Sequence, residues 1–345
     1  MNIKDVNSTA ELHDFMTTPT GELVEFAGRL SGDVAVLGAG GKMGPELVQT
    51  LKRADEAAGR ARRVYAVSRF SNPEGSELRR IRSAGAEICR GDLTDEEFLH
   101  ALPDVANVVF MVGYKFGSSG DWRGAFHINS ILPYLVGRRY PESRIVAFSS
   151  TNPYPHVPPE SGGATEETAL EPDGPYGWGI VARESAFRTT QMRSPAQKIL
   201  FYRLAYAQHL CYGVLVDLAR MLVSGDPISL AMPAVNLISQ RDAIEVALRS
   251  LSRASDPADI LNCSGPVWDV EDICRRMAEI LETEPNFVDE PAETALIADD
   301  AKCRRLLGSY RDEAPDLIDA AAHWVKRGGD YWEMPTKFGR PDHRY

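Results

Sequence analysis

Val34-Ala35-Val36-Leu37-Gly38-Ala39-Gly40-Gly41-Lys42-Met43-Gly44 is the stretch on which the fold of this chain turns. Four apolar residues run into glycines, and from Pro45 onward the pattern becomes helical. A buried parallel strand that ends in a glycine turn aims the N–H groups of the next helix at one point, and such a point attracts phosphate. Gly38, Gly41 and Gly44 stand at three-residue spacing, with Gly40 as a further permissive position. Glycines so spaced suit a tight turn, close approach of backbone to a pyrophosphate, and close packing of helix on strand.

Outward from this turn, apolar runs alternate with helical patterns. Segments 34–38, 64–68, 87–90, 108–112, 144–149 and 198–204 read as strands, and 45–57, 76–83, 95–101, 131–140 and 176–193 as helices. The alternation implies an α/β fold with a doubly wound parallel sheet of Rossmann type. Residues 1–30 read as a short helical N-terminal extension, capped by Ser8 or Thr9 and by Thr20. Residues 31–205 form the expected dinucleotide-binding domain. Residues 206–345 are expected to be mainly a smaller α/β substrate lobe, with some segments returning to the core sheet. The stretch 152–175, dense in Pro, Gly and acidic residues, reads as a long loop after a strand end, where open α/β sheets place their ligands.

The composition narrows the partners. Among 345 residues, 38 basic and 49 acidic side chains leave a net charge of −11, which repels a phosphate backbone, so nucleic acid is not expected. No apolar run nears the roughly 20 residues needed to span a bilayer, and the N-terminus lacks the blocks of a signal peptide. Cys89, Cys211, Cys263, Cys274 and Cys303 are scattered and form no CxxC pair. Reduced thiols in a cytoplasmic protein, with no metal site, are the expectation.

Further motifs follow the glycine turn in order. Gly91-Asp92-Leu93-Thr94-Asp95 stands after the third strand and Asn129 in the helix after the fourth. The fifth strand ends Ala147-Phe148-Ser149-Ser150-Thr151, and Pro175-Tyr176-Gly177 opens the next helix, so that Thr151 and Tyr176 are 25 residues apart. Leu261-Asn262-Cys263-Ser264-Gly265 and Asp300-x-Lys302-x-x-Arg305-Leu306-Leu307-Gly308 come later. In set and order these resemble the extended short-chain dehydrogenase/reductase family, in its NAD(P)-dependent epimerase/dehydratase branch, over about residues 33–327.

The resemblance implies hydride exchange with a nicotinamide ring. Tyr176 would exchange a proton with a substrate hydroxyl or carbonyl, while Thr151 or Ser150 holds that oxygen. The implied cofactor contacts are Gly38, Gly40, Gly41, Lys42, Met43, Gly44, Ser68, Arg69, Asp92, Leu93, Val112, Gly113 and Tyr176. In the family a lysine four residues after the tyrosine lowers its pKa from about 10. Here Ile180 stands in that place. Three replacements are open: Lys115, which follows the fourth strand and is the favoured one; Arg183, more readily read as a surface ion pair with Glu184 or Glu167; and the oxidised nicotinamide itself.

Val67-Ser68-Arg69-Phe70 ends the second strand without a carboxylate, and Ser68 with Arg69 suits a 2′-phosphate, so NADP is favoured over NAD. Nucleotide-sugar relatives carry an asparagine where Tyr206 stands and an arginine near Val235-Asn236-Leu237, where none is present. A free sugar or sugar acid fits better, contacted by Lys115, Tyr154, His156, Gln208 and His209. The aromatics Trp122, Tyr134 and Trp178 read as packing residues. The expected function is therefore an oxidoreductase or epimerase acting on a secondary hydroxyl or ketone of a sugar-like compound. The alternatives are a non-catalytic NAD(P)-binding redox sensor or scaffold, motivated by Ile180, and a nucleotide-sugar epimerase/dehydratase. By resemblance a homodimer is expected, paired through helices bearing Ile131, Leu132, Leu135, Val136, Ala182 and Phe187.

Overall fold

A computed structural model describes residues 2–115, 117–334 and 336. After helices α1 (Thr9–Thr17) and α2 (Gly21–Arg29) come β1 (Val34–Leu37), α3 (Gly44–Ala57), β2 (Val64–Ser68), α4 (Ser76–Ser83), β3 (Glu87–Arg90) and α5 (Glu96–Ala101). The second half of the sheet is built from β4 (Asn107–Phe110), α6 (Trp122–Phe126), α7 (Leu132–Arg139), β5 (Arg144–Ser150), α8 (Gly174–Arg193) and β6 (Lys198–Leu204). Last come α9 (Val214–Ser224), α10 (Gln240–Arg249), β7 (Asp259–Cys263), α11 (Val270–Leu281), α12 (Ala301–Leu307) and α13 (Ala314–Lys326). The seven strands form one parallel sheet in the order β7-β6-β5-β4-β1-β2-β3. The expected doubly wound sheet is present. Its order reverses between β1 and β4, and that switch point opens the crevice in which such sheets bind ligands.

Strand periodicity explains the two-sided core. Val34 and Val36 join Val64, Ala66, Val109 and Val146 on one face, while Ala35 and Leu37 join Tyr65, Val67, Val108 and Phe110 on the other. Alternate side chains point to opposite faces, so a strand covered on both sides must be apolar throughout. Four-residue β1 is buried at every position.

The N-terminal segment is built into the protein. Ser8 and Thr20 cap α1 and α2 by accepting from Glu11 N–H and Leu23 N–H. Leu23, Phe26 and Ala27 enter the core beneath β1, whereas Leu12, Phe15 and Met16 pack with α9, α11 and α13 in a separate C-terminal core. This segment therefore ties the sheet to the C-terminal lobe, and β7 returns from that lobe to pair with β6.

The single helix expected over 131–140 is instead the end of a longer one. Helices α6 and α7 are joined by a π-turn, His127–Ile131, in which the Leu132 N–H bonds the His127 carbonyl. Pro133 has no N–H to give a regular α-helical ladder, and the wider turn absorbs that loss. The turn buries Asn129, whose side chain both donates to the Tyr114 carbonyl (2.9 Å) and accepts from the Tyr114 N–H (3.0 Å). Strand β4 likewise stops at Phe110, two residues early. Residues 111–115 leave the sheet as a loop clamped by Asn129 over the crevice.

Candidate active site

Two adjoining cavities lie along the C-terminal ends of the strands and share Gly38, Gly41, Met111 and Gly113. The larger, about 1080 Å³, is lined on the β2–β3 side by Gly40, Ser68, Arg69, Asp92, Leu93, Val112 and, from the α6 region, Arg123 and His127. The smaller, about 390 Å³, is lined by Lys42, Met43, Gly44, Lys115, Ser150, Thr151, Tyr176, Arg183, Gln208 and Tyr212.

The glycine turn explains why the crevice can admit a flat, charged ligand. Gly38 has φ +94°, a region that L side chains avoid, and an added Cβ would sit 3.1 Å from the Met111 carbonyl carbon. At Gly44 an added Cβ would come within 2.6 Å of the Ala39 carbonyl carbon, so only glycine lets α3 pack this tightly on the turn. A Cβ at Gly40 would meet Ser68 Oγ at 2.7 Å. At the far end, Asp92 Oδ1 accepts from the Thr94 N–H (2.9 Å) and hydroxyl (2.8 Å). Those bonds and the nearby Arg69 and His127 hold its carboxyl below the usual range, against a smaller opposing effect of burial. Glycines at the point of closest backbone approach, an anionic carboxylate at the distal end and a helix N-terminus between them fit an extended dinucleotide.

The smaller cavity holds the groups with acid–base chemistry. Ser150, last in β5, hydrogen-bonds Tyr176 in the first turn of α8. It also donates to Asn152 Oδ1 at 2.8 Å. Thr151 is buried beside it in the lining. Burial pushes the Tyr176 phenol up, and Arg183 and Ser150 pull it back down. Ile180 is fully buried, so the position one turn beyond the tyrosine belongs to the core.

Arg183 is where the structure departs most from the sequence reading. It is 3% exposed rather than a surface ion-pair residue. Its guanidinium donates to the Phe148 carbonyl (2.6 Å) and to Asn129 Oδ1 (2.7 Å). Glu184, its expected partner, instead takes a bidentate pair with Arg203 (2.7 and 2.9 Å) and a bond from Ser149 (2.6 Å). Gly113 makes room for the guanidinium, since an added Cβ would lie 3.0 Å from it. Arg183 thus brings a fixed charge to the tyrosine from two turns along α8. Lys115 also stands near, its Nζ 5.5 Å from the Tyr176 ring centroid. Burial, helped by the charge of Lys42, pushes Lys115 down to about 8.

The remaining expected contacts divide. Gln208 lines the smaller cavity, held by bonds to the Tyr206 carbonyl (2.7 Å) and from the Leu215 N–H (3.2 Å). Tyr154 does not line it: its hydroxyl is buried between Arg203 (2.7 Å) and Asn262 (2.9 Å). His209 is also elsewhere, 3.2 Å from buried Glu46 and stacked on Trp332. His156 is half-buried and lines neither cavity. Arg241 is committed to Asp312, which removes it as an anion contact. Tyr212, Arg123 and His127 were not singled out by sequence, because a lone side chain in a loop or helix carries no spacing signal.

No protein-family model matches the sequence, and no curated protein does. Solved structures do match. The UDP-Glc/GlcNAc 4-epimerase from Campylobacter jejuni aligns with a TM-score of 0.70 at 16% identity, over 86% of this chain and 100% of that one. The UDP-glucuronic acid 4-epimerase from Bacillus cereus in complex with NAD aligns at 0.67 and 18% identity, over 86% and 96%. The dTDP-glucose 4,6-dehydratase from Bacillus anthracis in complex with NAD aligns at 0.69 and 13% identity, over 86% and 97%. At such identities the likeness is one of architecture: this chain has the Rossmann-type fold seen in sugar-nucleotide epimerases and dehydratases.

Proposed function

We propose that the protein is a nicotinamide-dependent enzyme acting on a secondary hydroxyl or ketone of a sugar-like substrate, with Tyr176 as the proton-transferring group. The observation that carries this reading is the placement of Tyr176, hydrogen-bonded to Ser150 and beside the Arg183 guanidinium, at the mouth of a crevice shaped for a dinucleotide. When bound, a nicotinamide supplies hydride acceptance and return. The chain's own residues supply the rest. Ser150 fixes the substrate oxygen against the Tyr176 hydroxyl, with Thr151 closing the wall beside them. Arg183 favours the phenolate, so that Tyr176 can take the proton as the C–H bond is broken. The test is spectroscopic and chemical: NAD or NADP mixed with the protein and a panel of sugars and sugar acids should give reduced-nicotinamide absorbance, or inversion of the carbinol centre where the net reaction is epimerisation. A protein that binds neither dinucleotide overturns the reading. The Arg183 charge acting on Tyr176 disfavours the non-catalytic sensor that Ile180 motivated.

NADP is the proposed preference. Arg69 is exposed at the end of β2, beside Ser68 in the lining of the larger cavity, where a 2′-phosphate would lie. Arg69→Ala is expected to weaken NADP binding by about 10- to 100-fold with little change for NAD, the loss of one charge-assisted contact. Equal affinities for both cofactors in the unaltered protein would count against it.

A homodimer is proposed through α6, α7 and α8, with a membership that differs from the sequence reading. Leu132, Val136 and Phe187 are buried inside the protomer. Ile131 is exposed, and so are Phe126, Met192 and, at 59% and 61%, Trp122 and Trp178, which the sequence reading took as packing residues. Large apolar side chains open to water on neighbouring helices mark a contact surface. Trp178→Glu should convert a dimer to a monomer in sedimentation velocity; an unaltered protein already monomeric would remove the proposal. Five scattered thiols, four of them buried, support a cytoplasmic setting.

A further inference from the structure

Gln208, expected from sequence to touch the substrate, has both ends of its amide taken up by the chain, at the Tyr206 carbonyl and the Leu215 N–H. A second glutamine in the lining of the smaller cavity is held differently. Gln240 opens α10, directly after residues 238 and 239, which run parallel to residues 207 and 208 in the loop after β6. It is 1% exposed and lines the smaller cavity but not the larger.

A carboxylate fixes this amide. Gln240 Nε2 donates to Glu46 Oε2 at 2.5 Å. Glu46 stands in the first turn of α3 and is fully buried. Burial pushes its carboxyl up, but His209, Gln240 and Arg80 more than offset that and hold it below the usual range. Its other oxygen faces His209: Nδ1 of that ring accepts from the Cys211 N–H (3.0 Å), and Nε2 lies 3.2 Å from Glu46 Oε1. An ionised carboxylate only accepts, so the nitrogen of the Gln240 amide must face it. Turning the amide over would set oxygen against oxygen. Oε1 is therefore the end directed away from Glu46. Among the described residues no donor reaches that oxygen, and it is not sealed off in the core. A secluded carbonyl without a donor is costly, and in native structures such groups mark the place of a ligand or an ordered water.

We infer that Gln240 determines specificity, its Oε1 accepting from a second hydroxyl of the substrate while the reacting oxygen meets Ser150 and Tyr176 in the same cavity. This rests on the reading of that cavity as a sugar site and narrows it to substrates that keep one particular hydroxyl beyond the reacting one. A fixed acceptor in a water-poor wall discriminates by what is lost: a compound without the hydroxyl leaves the carbonyl unpaired. A mobile side chain would turn away and avoid that loss. Glu46, as a positioning residue, removes the escape.

The test uses the full chain saturated with NADP. Glucose, galactose, gluconate and glucuronate are titrated by calorimetry, and each one that binds is compared with its analogues lacking a single hydroxyl. Apart from the hydroxyl to which Tyr176→Phe makes the protein indifferent, one deletion should weaken binding by about 10- to 100-fold. Gln240→Met should erase that difference, bringing the parent compound down to its deoxy analogue while the analogue binds as before. Glu46→Gln, which lets the amide turn over, should shrink the same difference and no other. NADP affinity, read separately by protein fluorescence, should hold in Gln240→Met. If no hydroxyl beyond the one at Tyr176 matters in the unaltered protein, the inference is overturned, and that result needs no variant to fold. A difference that survives Gln240→Met overturns it, as does an equal loss for parent and analogues. Weaker NADP binding in Gln240→Met with the sugar difference intact would assign the amide to the cofactor's ribose and overturn it too. If the NADP-loaded protein binds no compound of the panel, the sugar reading of the cavity falls and takes this inference with it.

Discussion

Tyr176→Phe is expected to lower turnover by about 10²- to 10⁴-fold, the usual contribution of a positioned acid–base group. The hydroxyl is the only group removed, and Ser150, which it bonds, keeps its bond to Asn152. Folding stability and dinucleotide affinity should therefore stay near those of the unaltered protein, because the glycine turn and the β2–β3 end of the crevice are untouched. The loss should fall on kcat, since proton transfer is a transition-state contribution. Steady-state kinetics with a fluorescence titration of the cofactor reads both quantities. Full turnover in the variant would remove Tyr176 from the chemistry.

Arg183→Met should act on two readouts at once. The guanidinium lowers the Tyr176 phenol, in opposition to the larger effect of burial. Removing it raises that pKa further, by about 1–3 units for a nearby opposite charge. In the direction of substrate oxidation the phenolate is the working form, so the rate climbs with pH up to the tyrosine's pKa. A higher pKa therefore costs about tenfold to a thousandfold in rate at neutral pH, and the loss should recover as pH rises. The second readout is stability. The variant deletes hydrogen bonds to the Phe148 carbonyl and to Asn129, each in the range of about 1.5–3 kcal/mol for a charged donor, which a urea midpoint would record. Arg183→Lys keeps the charge and should restore much of the pH profile, with less of the stability because one ammonium cannot span both acceptors. A shifted urea midpoint with an unchanged pH profile would make Arg183 structural only.

The sequence reading reached the sheet with little error because β1, β2, β5 and β6 announce themselves as short apolar runs between helices of regular period. Its strand at 64–68 and helix at 76–83 coincide with β2 and α4. It failed where the deciding contact is distant in sequence. Nothing near Arg183 says that Phe148 and Asn129 come to it across 35 and 54 positions, so an adjacent Glu184 looked like the natural partner. Arg203, 19 residues on, takes that glutamate instead. Tyr154 and His209 misled for the same reason: both follow strands, but each side chain turns into packing rather than into the crevice. The two exposed tryptophans broke the rule that large aromatics are buried.

The sequence by itself determined the strand–turn–helix around Gly38–Gly44, because a left-handed turn and a contact at van der Waals distance exclude every residue with a side chain. Local sterics of that kind are written in a few consecutive residues. Only the tertiary structure decided which cations come near Tyr176, since charge acts through space. Ile180 is turned into the core, Arg183 arrives one turn later on the same helix, and Lys42 and Lys115 reach one cavity from two different loops.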